Sequence, residues 1–149
     1  MNNYFDQSFK ELILDEGGYA NNPNDTGKET YLGVSRVHNP KAKMWGIIDN
    51  IKKDIKNLNT SAGVAELNRK LKAIPAIVNE VKQIYKRNYW DVIQLDQLNS
   101  KALCHQIFDE AVNAGVSLAI KLAEELVGLP KTGKYSNLLL EKLKVYGAE

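Results

Sequence analysis

Residues suited to acid-base chemistry lie close together in the segment ILDEGGYANNPNDTGKETYLGVSR, residues 13–36. Glu16 falls in the last turn of the first predicted helix, where unpaired carbonyl groups and the negative end of the helix dipole disfavour a second negative charge. With Asp15 beside it, we expect the pKa of Glu16 to be raised. A carboxyl group that stays protonated near neutral pH can donate a proton to a leaving group, as cleavage of a glycosidic bond requires.

Asp25 follows Glu16 by nine residues, beyond a stretch rich in turn-forming residues. Two carboxyl groups on opposite walls of a cleft can flank a sugar linkage, the second acting as base or as electrostatic support for an oxocarbenium-like transition state. Thr30 supplies a hydroxyl for the attacking water. Residues of these types are also common in exposed turns, so local features alone remain compatible with a plain connecting loop.

The spacing of apolar and turn-forming residues predicts the elements that hold these side chains. A first helix is predicted over residues 3–16, ended by Gly17 and Gly18 in a left-handed cap. Residues 19–28 predict a loop or irregular hairpin, and ETYLGV predicts a short strand. Further helices are predicted over 44–58, 64–74, 75 to about 90, 100–114, 118–127 and 136–146. The fold class is therefore mainly α, with one small irregular or β-hairpin element near residues 19–34.

Size and charge limit the classes of protein. With 149 residues, 44% of them apolar, the chain predicts a single domain, 1–149. A net charge of +2 spread over several helices lacks the basic stripe of nucleic-acid binders. No run approaches the ~20 apolar residues of a membrane span. The N-terminal segment MNNYFDQSFKELIL has no basic leader or small-residue cleavage site, so we expect synthesis in the cytoplasm without a signal peptide.

The single cysteine, Cys104, lies in the apolar helical pattern KALCHQIF, which predicts a buried structural thiol. His105 follows it directly and therefore points about 100° away on a helix, which disfavours a Cys-His nucleophile pair. The two histidines and one cysteine lack metal-type spacing. We expect no metal and no other cofactor. The Lys run in IKKDIKNL predicts a solvated helix face.

Three ordered blocks of the chain resemble the glycosyl hydrolase 108 muramidases, a lysozyme-like family that includes secretion activator proteins and phage endolysins. The first block, EGGYANNPNDTGKETYLGVSR, is similar to the family's Glu-Gly-Gly-Tyr, its Asn/Asp-rich turn and its later Thr and Gly. The others are IYKRNYWDVI, residues 84–93, and IFDEAVNAG, residues 107–115. The family's catalytic Glu falls on Glu16, and the Asp and Thr of its motif fall on Asp25 and Thr30.

The resemblance implies a lysozyme-like helical domain that cleaves the β-1,4 bond between N-acetylmuramic acid and N-acetylglucosamine in peptidoglycan. It implies that the protein acts on the bacterial cell wall and binds its glycan strands. It also implies that a holin or a secretion machinery allows the protein to reach the wall. We expect a monomer with a catalytic core at 1–116. Residues 117–149 resemble a peptidoglycan-binding tail that is degenerate, since the family's Asp and Gly-Pro are missing from LVGLPKTGKYSNLLLEKL, and a packing role for these last two helices is the alternative.

Further residues are predicted to contact the sugar. Tyr19 lies beside the predicted acid, and the ring of Trp90 is suited to stacking on a pyranose, although aromatic residues at the end of a helix also form core. Asp109 and Asn113 are four residues apart and share one helix face. The alternatives to a muramidase are a lytic transglycosylase, which leaves anhydro-sugar ends, and a non-catalytic wall-binding or secretion-assisting module.

Overall fold

The computed structural model describes residues 2–22, 24 and 28–148. This described part is mainly α-helical, as predicted. Its α-helices are α1 (Tyr4–Asp15), α2 (Met44–Lys52), α3 (Ser61–Lys72), α4 (Pro75–Tyr85), α5 (Lys101–Ala114), α6 (Val116–Leu126) and α7 (Asn137–Ala148). None of these helices is long and apolar enough to cross a membrane.

A small antiparallel sheet confirms the β element predicted near residues 19–34. Its strands are β1 (Tyr19–Asn21), β2 (Glu29–Tyr31) and β3 (Val34–Ser35), in that spatial order. β2 and β3 are joined by Leu32 and Gly33, whose φ angles of +49° and +81° match a type I′ hairpin turn. Since side chains alternate along a strand, Thr30 points to the opposite face of β2 from its two buried neighbours.

Contacts divide the chain into two compact units. Unit 1 comprises Met1–Leu14 and Tyr85–Glu149, and unit 2 comprises Asp15–Ile84. The sequence predicts a single domain, 1–149, with a core at 1–116 and a tail at 117–149, and that organisation stays a prediction. In the structure, α6 packs against α5 and α7 packs against α6. The tail segment is therefore part of the helical packing of unit 1.

The core of unit 1 is a cluster of aromatic rings. The ring of Trp90 meets those of Phe5 and Phe108 edge-on, with centroids 5.2 and 5.4 Å apart. Trp90 ends a single π-helical turn, Lys86–Trp90, that continues from α4. Cys104 is fully buried, as predicted, and burial raises the pKa of its thiol to about 12. A thiol in this environment is not a nucleophile near neutral pH.

The core of unit 2 is formed by buried residues of α2, α3 and α4, including Trp45, Leu67 and Val81. Pro75 begins α4, as predicted. The helix predicted over 44–58 is shorter in the structure. α2 ends at Lys52, and the chain then turns through Asn57, whose φ is +56°. The carbonyl oxygen of Asn57 would lie 2.3 Å from a Cβ at Gly63. Glycine at that position allows α3 to begin against this turn.

Candidate functional site

Glu16 lies directly after α1 and is partly exposed. Gly17 and Gly18 then lead into β1. The predicted left-handed glycine cap is wrong, since neither glycine has a positive φ. A Cβ at Gly17 would meet open space, whereas a Cβ at Gly18 would lie 2.4 Å from the side-chain oxygen of Asn68. Gly18 is therefore required for a close approach, and not for backbone handedness.

Asn68, on α3, holds the start of β1. Its Oδ1 accepts a hydrogen bond from the backbone N–H of Tyr19 at 2.8 Å. The first residue of β1 is thus bound on one side by Asn68 and on the other by its antiparallel pairing with Tyr31 on β2. Sequence reasoning missed Asn68, because no local pattern relates it to a residue 49 positions away.

Tyr19 is predicted from the sequence to contact the sugar, but the structure buries its side chain in unit 2. The side chain is only 7% exposed, and its hydroxyl donates a hydrogen bond to Glu29 Oε2 at 2.5 Å. The ammonium of Lys52 lies 5.3 Å from the centre of the ring. Burial and the contact with Glu29 raise the pKa of Tyr19. The residue therefore supports the sheet from inside unit 2.

Glu29 is the buried centre of an ionic network whose other members are partly exposed, and sequence reasoning missed this network. Lys52 donates to its Oε2 at 2.8 Å, and Arg36 donates to its Oε1 at 2.9 Å. Arg36 also binds Asp49 through two hydrogen bonds of 2.8 Å. Burial alone would raise the pKa of Glu29, but the hydrogen bonds from Lys52, Tyr19 and Arg36 lower it. Glu29 is therefore ionised near neutral pH and unsuited to donate a proton.

Lys52 corrects one further prediction. The Lys run in IKKDIKNL is predicted to be a solvated face, and Lys53 and Lys56 are exposed. Lys52 instead turns inward to Glu29, with 24% of its side chain exposed. Asp49 and Lys52 are three residues apart on α2, so both reach the same network. This spacing is the sequence signal that could have placed Asp49 and Lys52 in one network, but their partners, Arg36 and Glu29, lie outside the helix.

The model of the family described as "Glycosyl hydrolase 108" matches residues 9–115. The chain belongs to the glycosyl hydrolase 108 family. It is therefore a glycoside hydrolase, and Glu16 lies within the matched segment. No curated protein matches the chain.

The solved structure of SagA from Brucella abortus is similar to that of this hydrolase. The two chains are 23% identical, with a TM-score of 0.59, and the match covers 95% of this chain and 68% of that chain. At this level of identity the likeness shows a shared fold. The fold of the hydrolase is accordingly lysozyme-like and mainly α, as the resemblance implied.

The other two predicted catalytic residues of the hydrolase lie in or near the sheet. Thr30 is paired with Ala20 on β1 and Ser35 on β3, and its side chain is partly exposed. Asp25 lies outside the described residues. The roles of both residues in catalysis stay predictions. Within the part of the chain that the structure describes, no three His, Cys, Asp or Glu residues are grouped so that they could hold a metal ion.

Asp109 and Asn113 lie together on α5 in unit 1, and both are exposed. The side-chain amide of Asn113 donates to the backbone carbonyl of Asp109 at 2.9 Å and to its carboxylate at 3.1 Å. This pairing follows from their spacing of one helical turn. Their exposed polar atoms are available to solvent, and contact with a sugar stays a prediction.

Trp90 is predicted from the sequence to stack on a sugar, and the structure places it instead in the core of unit 1. Its side chain is fully buried, and its indole N–H donates to Asp96 Oδ1 at 2.9 Å. A sugar ring would have to displace Phe5 or Phe108 to reach it. Trp90 ends the π-helical turn Lys86–Trp90 and is buried there.

Proposed function

We propose that this hydrolase is an N-acetylmuramidase, which cleaves the β-1,4 bond between N-acetylmuramic acid and N-acetylglucosamine in the glycan strands of peptidoglycan. The observation that carries the proposal is the position of Glu16. This residue is partly exposed at the end of α1, inside the segment that matches the family. It also falls on the catalytic Glu of the family motif.

In the proposed reaction, Glu16 donates its proton to the glycosidic oxygen as the bond from that oxygen to the anomeric carbon breaks. A water molecule adds to the anomeric carbon and loses a proton, so that one new reducing end forms for each bond cut. Asp25 acts as base or supports the developing positive charge, and Thr30 orients the water. The network around Glu29 supports the choice of Glu16 as the acid. Hydrogen bonds from Tyr19, Arg36 and Lys52 keep Glu29 ionised, so Glu29 is unsuited to donate the proton.

Asp109 and Asn113 are proposed to bind sugar hydroxyl or acetamido groups through their carboxylate and amide. Ala variants of either residue should raise KM more than they lower kcat, because binding contacts away from the reacting atoms act on the ground and transition states alike. A change in kcat alone would contradict the proposed role.

The test measures release of reducing ends from purified peptidoglycan by wild type, Glu16→Gln and Glu66→Gln, with the masses of the products. Glu66 is a matched control, since it is a half-exposed Glu of unit 2 that pairs with Lys70 on α3. The proposal expects release by wild type and Glu66→Gln, none by Glu16→Gln, and reducing N-acetylmuramic acid ends.

Other outcomes would replace the proposal. Products with anhydro-muramic acid ends would indicate a lytic transglycosylase, in which a hydroxyl of the sugar attacks in place of water. Reducing N-acetylglucosamine ends would indicate cleavage of the other linkage of the strand. No release by correctly folded wild type would favour a non-catalytic wall-binding or secretion-assisting module.

A further inference from the structure

The segment between Glu16 and β1 has little intrinsic rigidity. It consists of Gly17 and Gly18 alone, and a Cβ at Gly17 would have no atom within 4 Å. Glycine has more backbone freedom than any other residue. A catalytic group must nevertheless be held within about 0.5 Å of its productive position. Glu16 follows α1 on one side and this glycine pair on the other, so a contact from outside the segment is needed to fix its position on the β1 side.

Asn68 makes that contact through both a hydrogen bond and close packing. Its Oδ1 accepts the N–H of Tyr19 at 2.8 Å. Its amide group also fills the space beside Gly18, where a Cβ would lie 2.4 Å from Oδ1 and 2.7 Å from Cγ and Nδ2. One side chain thus fixes the Gly18–Tyr19 peptide in position and leaves room for no side chain at residue 18.

The elements on both sides of this contact are well anchored in unit 2. On α3, the neighbours Leu67 and Leu71 are fully buried, and the Thr60 side chain caps the first turn of the helix at 3.1 Å. On β1, the hydroxyl of Tyr19 is bound to Glu29 at 2.5 Å. Asn68 therefore connects a fixed helix to the first residue of a fixed strand, three positions after Glu16.

We propose that Asn68 is a positioning residue for Glu16, which orients the acid by holding the Gly18–Tyr19 peptide. This inference rests on the proposed function of Glu16. Asn68 acts through the backbone and not on the substrate, so its loss should affect the chemical step more than binding. Misplacement of a reacting group by about 1 Å can cost about 100-fold in rate. We expect Asn68→Ala to lower kcat by about 10- to 100-fold, with KM within about twofold of wild type.

The experiment measures kcat and KM on soluble glycan strands for wild type, Asn68→Ala, Asn68→Asp and Asn79→Ala. Asp keeps an oxygen at the position of Oδ1 and should restore most of kcat. Asn79, an exposed residue of α4, is the control for loss of an amide from a helix of the same unit. Its variant should keep wild-type values. Circular dichroism and urea unfolding establish the folded fraction by which each rate is divided.

Gly18→Ala provides an independent test of the same contact. The added methyl group presses against the amide of Asn68 and should also lower kcat. In the double variant Gly18→Ala/Asn68→Ala the amide is absent, so kcat should be no lower than in Asn68→Ala alone. Losses that multiply independently would contradict the contact.

Failure of this inference is distinct from failure of the proposed function. Wild type that releases no reducing ends would refute the muramidase and with it the role of Asn68. Active wild type, inactive Glu16→Gln and a wild-type kcat in Asn68→Ala would refute the positioning role alone. If Asn68→Ala does not fold, a wild-type kcat in folded Gly18→Ala would refute it equally.

Discussion

Lys52 on α2 and Glu29 on β2 form an ion pair of 2.8 Å inside unit 2. Only 24% of the lysine side chain and 12% of the glutamate side chain are exposed. Lys52 also lies over the ring of Tyr19, whose hydroxyl binds the same carboxylate. One ammonium group thereby links α2 to the first two strands of the sheet, close in sequence to Glu16.

Replacement of Lys52 by Met should destabilise the protein. Glu29 would keep Arg36 and Tyr19 but lose one of its two charged partners while remaining buried, so we expect a loss of about 1–3 kcal/mol in the free energy of unfolding. Lys53→Met is the matched control, because Lys53 is the neighbouring lysine and is exposed. It should change the free energy by less than about 0.5 kcal/mol. Urea unfolding at neutral pH measures both, and equal effects would contradict the inward role of Lys52.

The lowered pKa of Glu29 predicts loss of stability in acid. A carboxyl group whose pKa is lower in the folded than in the unfolded protein contributes stability at pH values above its unfolded pKa, here near 4.5. That contribution is lost as pH falls through the lower folded pKa. The free energy of unfolding of wild type should therefore decrease below about pH 4.5, and it should decrease less in Glu29→Gln. Urea titrations from about pH 3 to 7 test this, and parallel curves would contradict it.

The elements of the fold were largely predictable because their signals are local. The helix predicted over 100–114 is α5, which Ser100 caps by accepting the N–H of Leu103 at 3.2 Å, and Pro75 begins α4, as predicted. The strand predicted over ETYLGV was only partly right, because β2 covers Glu29–Tyr31 and the chain then turns at Leu32 and Gly33. These features depend on residues within a few positions of one another. One helix boundary was wrong, since the helix predicted over 44–58 ends at Lys52 and the chain turns at Asn57 against Gly63 on α3.

The packing around the candidate site was less predictable because its contacts are distant in sequence. Glu29 meets Arg36 seven residues later and Lys52 twenty-three residues later. The aromatic character of Tyr19 and Trp90 suits a sugar contact and a core position equally, and sequence does not show which side of a ring is covered. The polar partners of these two residues, Glu29 and Asp96, come together with them only in the folded structure.

The buried position of Trp90 predicts a structural and not a substrate-binding effect on mutation. Trp90→Phe removes ring volume and leaves Asp96 without its indole donor, so the free energy of unfolding should fall by about 1–3 kcal/mol. KM for glycan strands should stay within about twofold of wild type, as expected when no binding contact is lost. Val92→Ala, at an exposed side chain nearby, is the control for stability. A several-fold rise in KM with unchanged stability would restore Trp90 as a sugar contact.

Glu124 on α6 fixes the segment before α7, and its replacement should loosen that segment. Its carboxylate accepts three hydrogen bonds of 2.8 Å, from the backbone N–H groups of Thr132 and Gly133 and from the Thr132 hydroxyl. Burial would raise the pKa of Glu124, but these hydrogen bonds lower it, so the carboxylate is ionised at neutral pH. In Glu124→Gln, one carboxylate oxygen becomes an NH₂ group that faces hydrogen-bond donors.

We expect amide hydrogen exchange at Thr132 and Gly133 to be about tenfold faster or more in Glu124→Gln, since each loses or weakens its acceptor. Glu125→Gln is the matched control, because Glu125 is the next residue, is exposed and forms an ion pair with Lys131. Its exchange rates should equal those of wild type. The same two amides should also exchange faster in wild type as pH falls through the lowered pKa of Glu124, after correction for the intrinsic pH dependence of exchange. Equal protection in both Gln variants would show that the backbone of the segment, and not the carboxylate, maintains its structure.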